Sequence, residues 1–195
     1  METMKSWMTD LDRHSVAPAG TPVPQEDADE VLVKVLACGV CRTDLHLVDG
    51  ELAPHRAAVT PGHQIVGTVV RLGSAGRGLQ VGDLVGIAWL RRTCGACTWC
   101  RSGRENLCPD SQYTGWDADG GFAEYATVPA AFAYPLAAGS DPVETAPLLC
   151  AGIIGYRALS RAALPRVGGS ASTVSGRVPT SRPNWPWLRE RRSSQ

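Results

Sequence analysis

The sequence predicts a mainly β domain with some α, built as a compact β-rich barrel that precedes any extended helix. Three observations lead there. Several short runs are rich in β-branched residues and end in glycine or proline turns, at irregular spacing. Apolar residues recur at helical spacing over only one long stretch, Pro142–Ala162. The chain has 195 residues, 44% hydrophobic and 19% charged, which suits one ordinary domain able to bury a core without disulfide staples.

Residues 1–24 are polar and carry Pro18, Pro22 and Pro24, as expected of a peripheral strand or loop. Val31–Leu36 is the first clear strand. A turn containing glycine and cysteine then leads to a short polar helix start at Thr43 and Asp44. His63–Leu72 reads as the next strand, closed by Gly73 and Ser74. Val81–Ile87 reads as another, entered from the turn at Gly76–Gly78. A cysteine-rich lobe occupies Cys94–Cys108. Gly121–Val128 returns to strand and stops at Pro129. The predicted organisation is a peripheral segment 1–24, a domain body 25–141, a helical segment 142–165 and a tail 166–195. No internal repeat is present.

The formal net charge of +0 hides a split. Residues 1–165 hold 13 Lys+Arg against 18 Asp+Glu, whereas residues 166–195 hold 6 Arg against Glu190. A mildly acidic body argues against general nucleic-acid binding. No apolar run reaches the roughly 18 residues that a membrane span needs. The early acids Glu2, Asp10 and Asp12 do not resemble a secretory leader, so a cytoplasmic location is expected. The tail lacks Lys, Ile, Phe, Tyr, His, Cys and Met and has neither strand nor helix period, as expected of a disordered basic segment.

The cysteines carry the chemistry. Seven of them in a chain without a leader argue against a secreted disulfide framework. Cys94, Cys97, Cys100 and Cys108 follow a C-x2-C-x2-C-x7-C spacing that lets four thiolates turn toward one tetrahedral zinc. Four protein ligands leave no open position, so this zinc would be structural. Arg91, Arg92, Arg101 and Arg104 lie near the lobe, but Trp99 and Tyr113 offer few platforms for stacking nucleic-acid bases. A second group comprises Cys38, Cys41 and, some twenty residues on, His63. Spacing alone does not decide which of these thiols shares a metal, nor whether His63 is simply a core histidine.

Five segments resemble one family in order and content. They are Cys38-Gly-Val-Cys-Arg-Thr-Asp-Leu-His46, Thr60-Pro-Gly-His63, Val81-Gly-Asp83, the four-cysteine lobe and Gly120-Gly-Phe-Ala-Glu-Tyr125. Over roughly residues 25–165 the chain resembles zinc-dependent alcohol dehydrogenases of the medium-chain dehydrogenase/reductase superfamily, whose catalytic domain is a GroES-like β-barrel with a structural zinc lobe. The resemblance implies that Cys41, His63 and Cys150 hold a catalytic zinc with one open position. It implies that Cys94, Cys97, Cys100 and Cys108 hold the structural zinc. Thr43 would contact the substrate hydroxyl, and His46 would be a later member of a proton relay. Cys38 is a spectator, and Asp44 and Arg42 are structural or electrostatic partners. The substrate implied is a small primary alcohol or aldehyde, oxidised or reduced with NAD(P), and Trp89, Leu90 and Trp116 are candidates to line its pocket. One departure lies beside the metal: Gln64 stands where many members of the family have Glu, which removes a negative charge and keeps hydrogen-bonding capacity.

Nothing in the chain matches the glycine fingerprint that grips a dinucleotide between a strand and a helix. Gly168–Thr173 comes nearest, without the flanking elements. The resemblance implies that the cofactor-binding α/β domain would begin there, and its absence predicts a truncated, inactive dehydrogenase, with a frameshift near residues 165–168 accounting for the composition of the tail. The alternative is a short zinc-stabilised binding module with a basic tail. In either case the helical segment is expected to expose Leu148, Leu149, Ile153 and Ile154.

Overall fold

The computed structural model of the chain describes residues 2–53, 55–76 and 78–162. The predicted tail 166–195 lies outside the described residues. The N-terminal segment forms a hairpin in which β1 (Thr3–Asp10) pairs antiparallel with β2 (Ser15–Pro22). Alternation along β1 buries Met4 and Ser6. Met4 and Val23 pack against Leu32, so the hairpin covers one face of the sheet behind it.

That sheet contains β3 (Glu30–Gly39), β4 (Gln64–Leu72), β5 (Leu84–Ile87), β8 (Tyr125–Pro129) and β9 (Ala133–Pro135). Its order is β8-β3-β4-β5-β9, antiparallel throughout, and it curls into a half-barrel. The fold is therefore mainly β, as the sequence predicts. Val31, Val33, Ile65, Val69, Val85, Ile87 and Val128 fill the concave side. Each such side chain, fully removed from water, contributes about 1.5–3 kcal/mol. Around the sheet lie α1 (Arg42–Val48), the pair β6 (Leu90–Arg92) and β7 (Gln112–Tyr113), α2 (Thr98–Arg101), α3 (Pro142–Thr145) and α4 (Ala151–Arg161). No helix among the described residues is long and apolar enough to cross a membrane.

Departures from the predicted elements have local causes. The strand predicted from Val81 begins at Leu84, because the Asp83 carboxylate accepts the Gln80 N–H (2.8 Å) and makes the preceding residues a turn. The strand predicted from Gly121 begins at Tyr125. The Gly121 and Phe122 N–H groups instead donate to the carbonyls of Gly62 (2.8 Å) and Pro61 (3.0 Å). In β3 the register shifts between Val35 and Ala37, so Leu36 is the extra residue of a bulge and stands 50% exposed. Beyond the bulge the strand carries Cys38 and delivers the chain to Cys41.

The helical stretch is broken. After α3, a 3-10 turn at Ala146–Leu149 ends at Cys150, whose φ of −129° and ψ of −77° are not helical, and α4 starts afresh. Leu148, Ile153 and Ile154 are exposed as expected. Leu149 is not: it is 7% exposed and packs with Val66, Ala88 and Ala146. It fits because Gly86 leaves room, since a Cβ there would come within 2.6 Å of Leu149 Cδ2. This contact anchors the residue just before Cys150 to the sheet.

Candidate metal centres

The four-cysteine lobe assembles from short local turns. Cys94 follows β6, Cys97 sits at the N-terminus of α2, Cys100 lies within α2, and Cys108 follows a 3-10 turn at Glu105–Leu107. The Sγ atoms of Cys97 and Cys100 are 3.5 Å apart, those of Cys94 and Cys108 3.6 Å, and those of Cys94 and Cys100 3.9 Å. Four sulfur bonds of about 2.3 Å at tetrahedral angles would place ligands about 3.8 Å apart, so the donor set fits a zinc ion. Backbone N–H groups reinforce the thiolates: Cys97 donates to Cys94 Sγ (3.3 Å) and Cys94 to Cys108 Sγ (3.5 Å). Backbone donors from Ala96 and Cys97 push the Cys94 thiol down to about 7.

The second cluster draws its members from across the chain. Cys41 is the N-cap of α1, where its Sγ accepts the Thr43 N–H (3.3 Å). The Asp44 carboxylate reaches back to the Cys41 N–H (2.8 Å), which completes a capping box with a thiol in the place usual for a hydroxyl. The other oxygen of Asp44 accepts the Gly62 N–H (3.0 Å) and lies 3.3 Å from His63 Nδ1. Gly62 adopts a φ of +97° in a space that Phe122 and Cys38 close to any side chain. One carboxylate thus fixes the helix start carrying Cys41 and the turn carrying His63.

His63 is 1% exposed. Its Nε2 lies 3.3 Å from Cys41 Sγ, while the buried Nδ1 faces Asp44 without the alignment of a hydrogen bond. The ligand atoms of Cys41, His63 and Cys150 all lie within 4.8 Å of one another. A tetrahedral zinc with a sulfur and a nitrogen ligand would hold them about 3.5 Å apart, and an imidazole backed by a carboxylate suits such a metal. The titration of these groups points the same way. The Cys150 thiol, His63 and Thr43 all stabilise the Cys41 thiolate and carry it down to about 3 against the effect of burial. Cys150 is pushed up, first by Cys41 and then by burial. Burial opposes the charge on His63, but Asp44 and Cys41 outweigh it and raise the ring to about 9. Without metal the Cys41 thiolate is balanced by the protons on His63 and Cys150, and a divalent cation would bind here by taking the place of those two protons.

Cys38 stays apart: burial lifts its thiol to about 12, and it packs beside Gly62 and Gly121. Gln64 is buried opposite Gly39, where it opposes the upward shift of the Cys150 thiol. His46, in the last turn of α1, contacts the carboxylate of Glu51 through Nδ1. Trp89 and Trp116 stand with Tyr113 and His55 in a stack of rings beside His63. His55 had no sequence signal, because its partners come from distant segments.

All seven cysteines are free thiols, and their ionisation sets an order of reactivity. With metal removed, iodoacetamide at pH 6 is expected to label Cys41 and Cys94 ahead of Cys38 and Cys150. At that pH Cys41 is thiolate and Cys94 a minor fraction so, whereas burial or a neighbouring thiolate keeps the second pair protonated. Peptide mass spectrometry reads that order.

A β half-barrel carrying two clusters of side chains that could hold a metal ion is the class of domain that these residues define. Residues 27–138 match the alcohol dehydrogenase GroES-like domain, and the chain belongs to that family. It is 55% identical over 175 residues to the probable alcohol dehydrogenase AdhA of Mycobacterium tuberculosis, a match covering 85% of this chain and 51% of the relative. Among solved structures it resembles a cinnamyl alcohol dehydrogenase from Sorghum bicolor, with a TM-score of 0.76 at 30% identity over 83% of this chain and 48% of that one. It also resembles a cobalt- and zinc-bound thermostable alcohol dehydrogenase from Pyrobaculum aerophilum, with a TM-score of 0.76 at 27% identity over 84% and 50%. The chain spans about half the length of the curated relatives it matches.

Proposed function

We propose that residues 25–141, with the hairpin 1–24 against the sheet and the lead-in 142–165, are the zinc-binding catalytic part of an alcohol dehydrogenase. Its substrate would be a small primary alcohol or aldehyde, and NAD(P) the cofactor. The observation that carries this reading is the convergence of Cys41, His63 and Cys150 from three separate segments on one point. A binding module stabilised by the lobe alone has no use for that second cluster.

In this reading Cys94, Cys97, Cys100 and Cys108 hold a structural zinc, and Cys41, His63 and Cys150 hold a second one with a position left for substrate. A zinc ion there supplies Lewis acidity toward an alcohol oxygen. Asp44 orients His63 and holds the helix start that presents Cys41. Thr43, two residues into the cap, orients the substrate hydroxyl, and His46 takes the proton onward. Glu51 holds one ring nitrogen of His46. Gln64 adds no charge beside Cys150, so the negative charge near the metal comes from the thiolates and from Asp44 behind His63. The dinucleotide fingerprint does not occur in residues 2–162, so no residue here is assigned to the nicotinamide.

Metal analysis of the purified chain tests the reading. Two zinc ions per chain are expected, falling to one in Cys150→Ser, and the retained ion should be the lobe's. A chain that binds one zinc and is indifferent to Cys150→Ser would refute it. Joining the chain to the cofactor domain of a relative is expected to give alcohol-dependent reduction of NAD or NADP, and Cys41→Ser should abolish it.

A further inference from the structure

Cys150 reaches the second cluster from a segment laid across the outer face of the sheet. Consecutive residues of a strand point to opposite faces. Ile65 and Ile87 therefore enter the concave core, while Val66 and Gly86 face away from it toward Leu149. On that outer face Ala37, Val66 and Gly86 pair in register and form one row across β3, β4 and β5. The row beside it sets Gly39 opposite Gln64, and His63 stands one residue before Gln64. Leu149 thus seats the chain, one residue ahead of Cys150, close to the point where β4 receives the chain from His63.

The seat is specific. Gly86 is not among the glycines with positive φ, so its backbone conformation does not require glycine. A glycine inside a strand forfeits packing and costs chain entropy. Leu149 is what requires it: a Cβ at position 86 would come within 2.6 Å of Leu149 Cδ2 and 3.1 Å of Cδ1. Cys150 itself caps α4 without a side-chain hydrogen bond, so its own turn does little to place the sulfur. The cluster of Val66, Ala88, Ala146 and Leu149 is also separate from the concave core, so this segment can lift while that core stays closed.

We propose that Gly86 and Leu149 are positioning residues for the second metal centre. Their contact delivers the Cys150 sulfur to Cys41 and His63, and the docking of residues 146–149 and the binding of the metal are one coupled equilibrium. The proposal rests on the reading of Cys41, His63 and Cys150 as a metal site. A side chain that only filled space on the outer face would change stability and leave metal affinity alone. A seat for the third ligand changes both, and by linkage the metal must in turn hold the segment down.

The test measures the affinity of the second zinc in the purified chain by competition with a chromophoric chelator. Leu149→Ala removes the anchor and Gly86→Ala displaces it. Each is expected to weaken the second zinc by about 10- to 100-fold while the lobe keeps its own. Leu149→Ala introduces no clash and carries the comparison if Gly86→Ala fails to fold. The double variant Gly86→Ala/Leu149→Val shifts a methyl's volume across the contact and should recover most of the affinity that Gly86→Ala loses. Val128→Ala, on the concave side, should lower stability at unchanged zinc affinity. Zinc added to the metal-free chain should slow amide exchange over residues 146–154 as well as over the lobe. Unchanged second-zinc affinity in Leu149→Ala, an equal loss in Val128→Ala, a double variant no tighter than Gly86→Ala, or exchange at 146–154 indifferent to zinc would each overturn the seat and leave the metal site standing. A chain that binds only the lobe's zinc would overturn the two together.

Discussion

Dialysis of the purified chain against a strong chelator is expected to remove the metal at Cys41, His63 and Cys150 first and to leave the lobe's metal in place. The lobe offers four thiols on short local turns, with sulfurs already 3.5–3.9 Å apart in three of the pairs. In the proposed reading the other centre has three protein ligands and a position left to solvent or substrate, through which a chelator would attack. When the lobe finally loses its metal the effect should be large, because structural zinc in small peptides contributes roughly 10–16 kcal/mol to folding. Cys97→Ser is expected to reproduce that loss. Amide exchange would then rise over residues 94–108 while the amides of β3 and β4 stay protected, since the sheet has its own apolar core. Loss of both metals at the same rate would be the contrary finding.

Asp44→Asn is expected to lower stability by about 2–4 kcal/mol, since a charged acceptor of two backbone N–H groups, one of them buried, becomes a neutral one. The same change should weaken zinc at Cys41, His63 and Cys150 by about 10- to 100-fold, the usual effect of losing a partner behind a ligand histidine. Zinc competition with a chromophoric chelator measures the second effect, and denaturant titration the first. Asp49→Asn, at the exposed C-terminal end of α1, is the control and should change neither. If Asp44→Asn left zinc affinity untouched, the carboxylate would be a helix cap and nothing more.

Much of this could be read in the chain beforehand, and the exceptions share a physical cause. The lobe was legible because its four cysteines lie within fifteen residues at spacings suited to one tetrahedral metal. β3 and β4 were legible because their β-branched runs are buried on both faces. The hairpin β1–β2 was not, because prolines and polar residues mask its period: Pro18 pairs with Trp7, and β2 contributes mostly exposed positions. The second cluster followed from resemblance alone. No spacing rule links Cys41, His63 and Cys150, and Cys150 sits at a break inside a stretch that reads as unbroken helix. The double role of Asp44 and the ring stack through His55 are tertiary facts, formed by loops that meet only in the folded chain.

The break at Cys150 also has a bearing on time. As the chain leaves the ribosome, the lobe's ligands appear together, and its metal can be captured as soon as one short segment has emerged. Cys41 and His63 appear earlier still, yet they must wait for a thiol roughly a hundred residues downstream, and for Leu149 to settle over Gly86. During that interval Cys41 lacks the Cys150 partner that does most to lower its thiol in the folded chain.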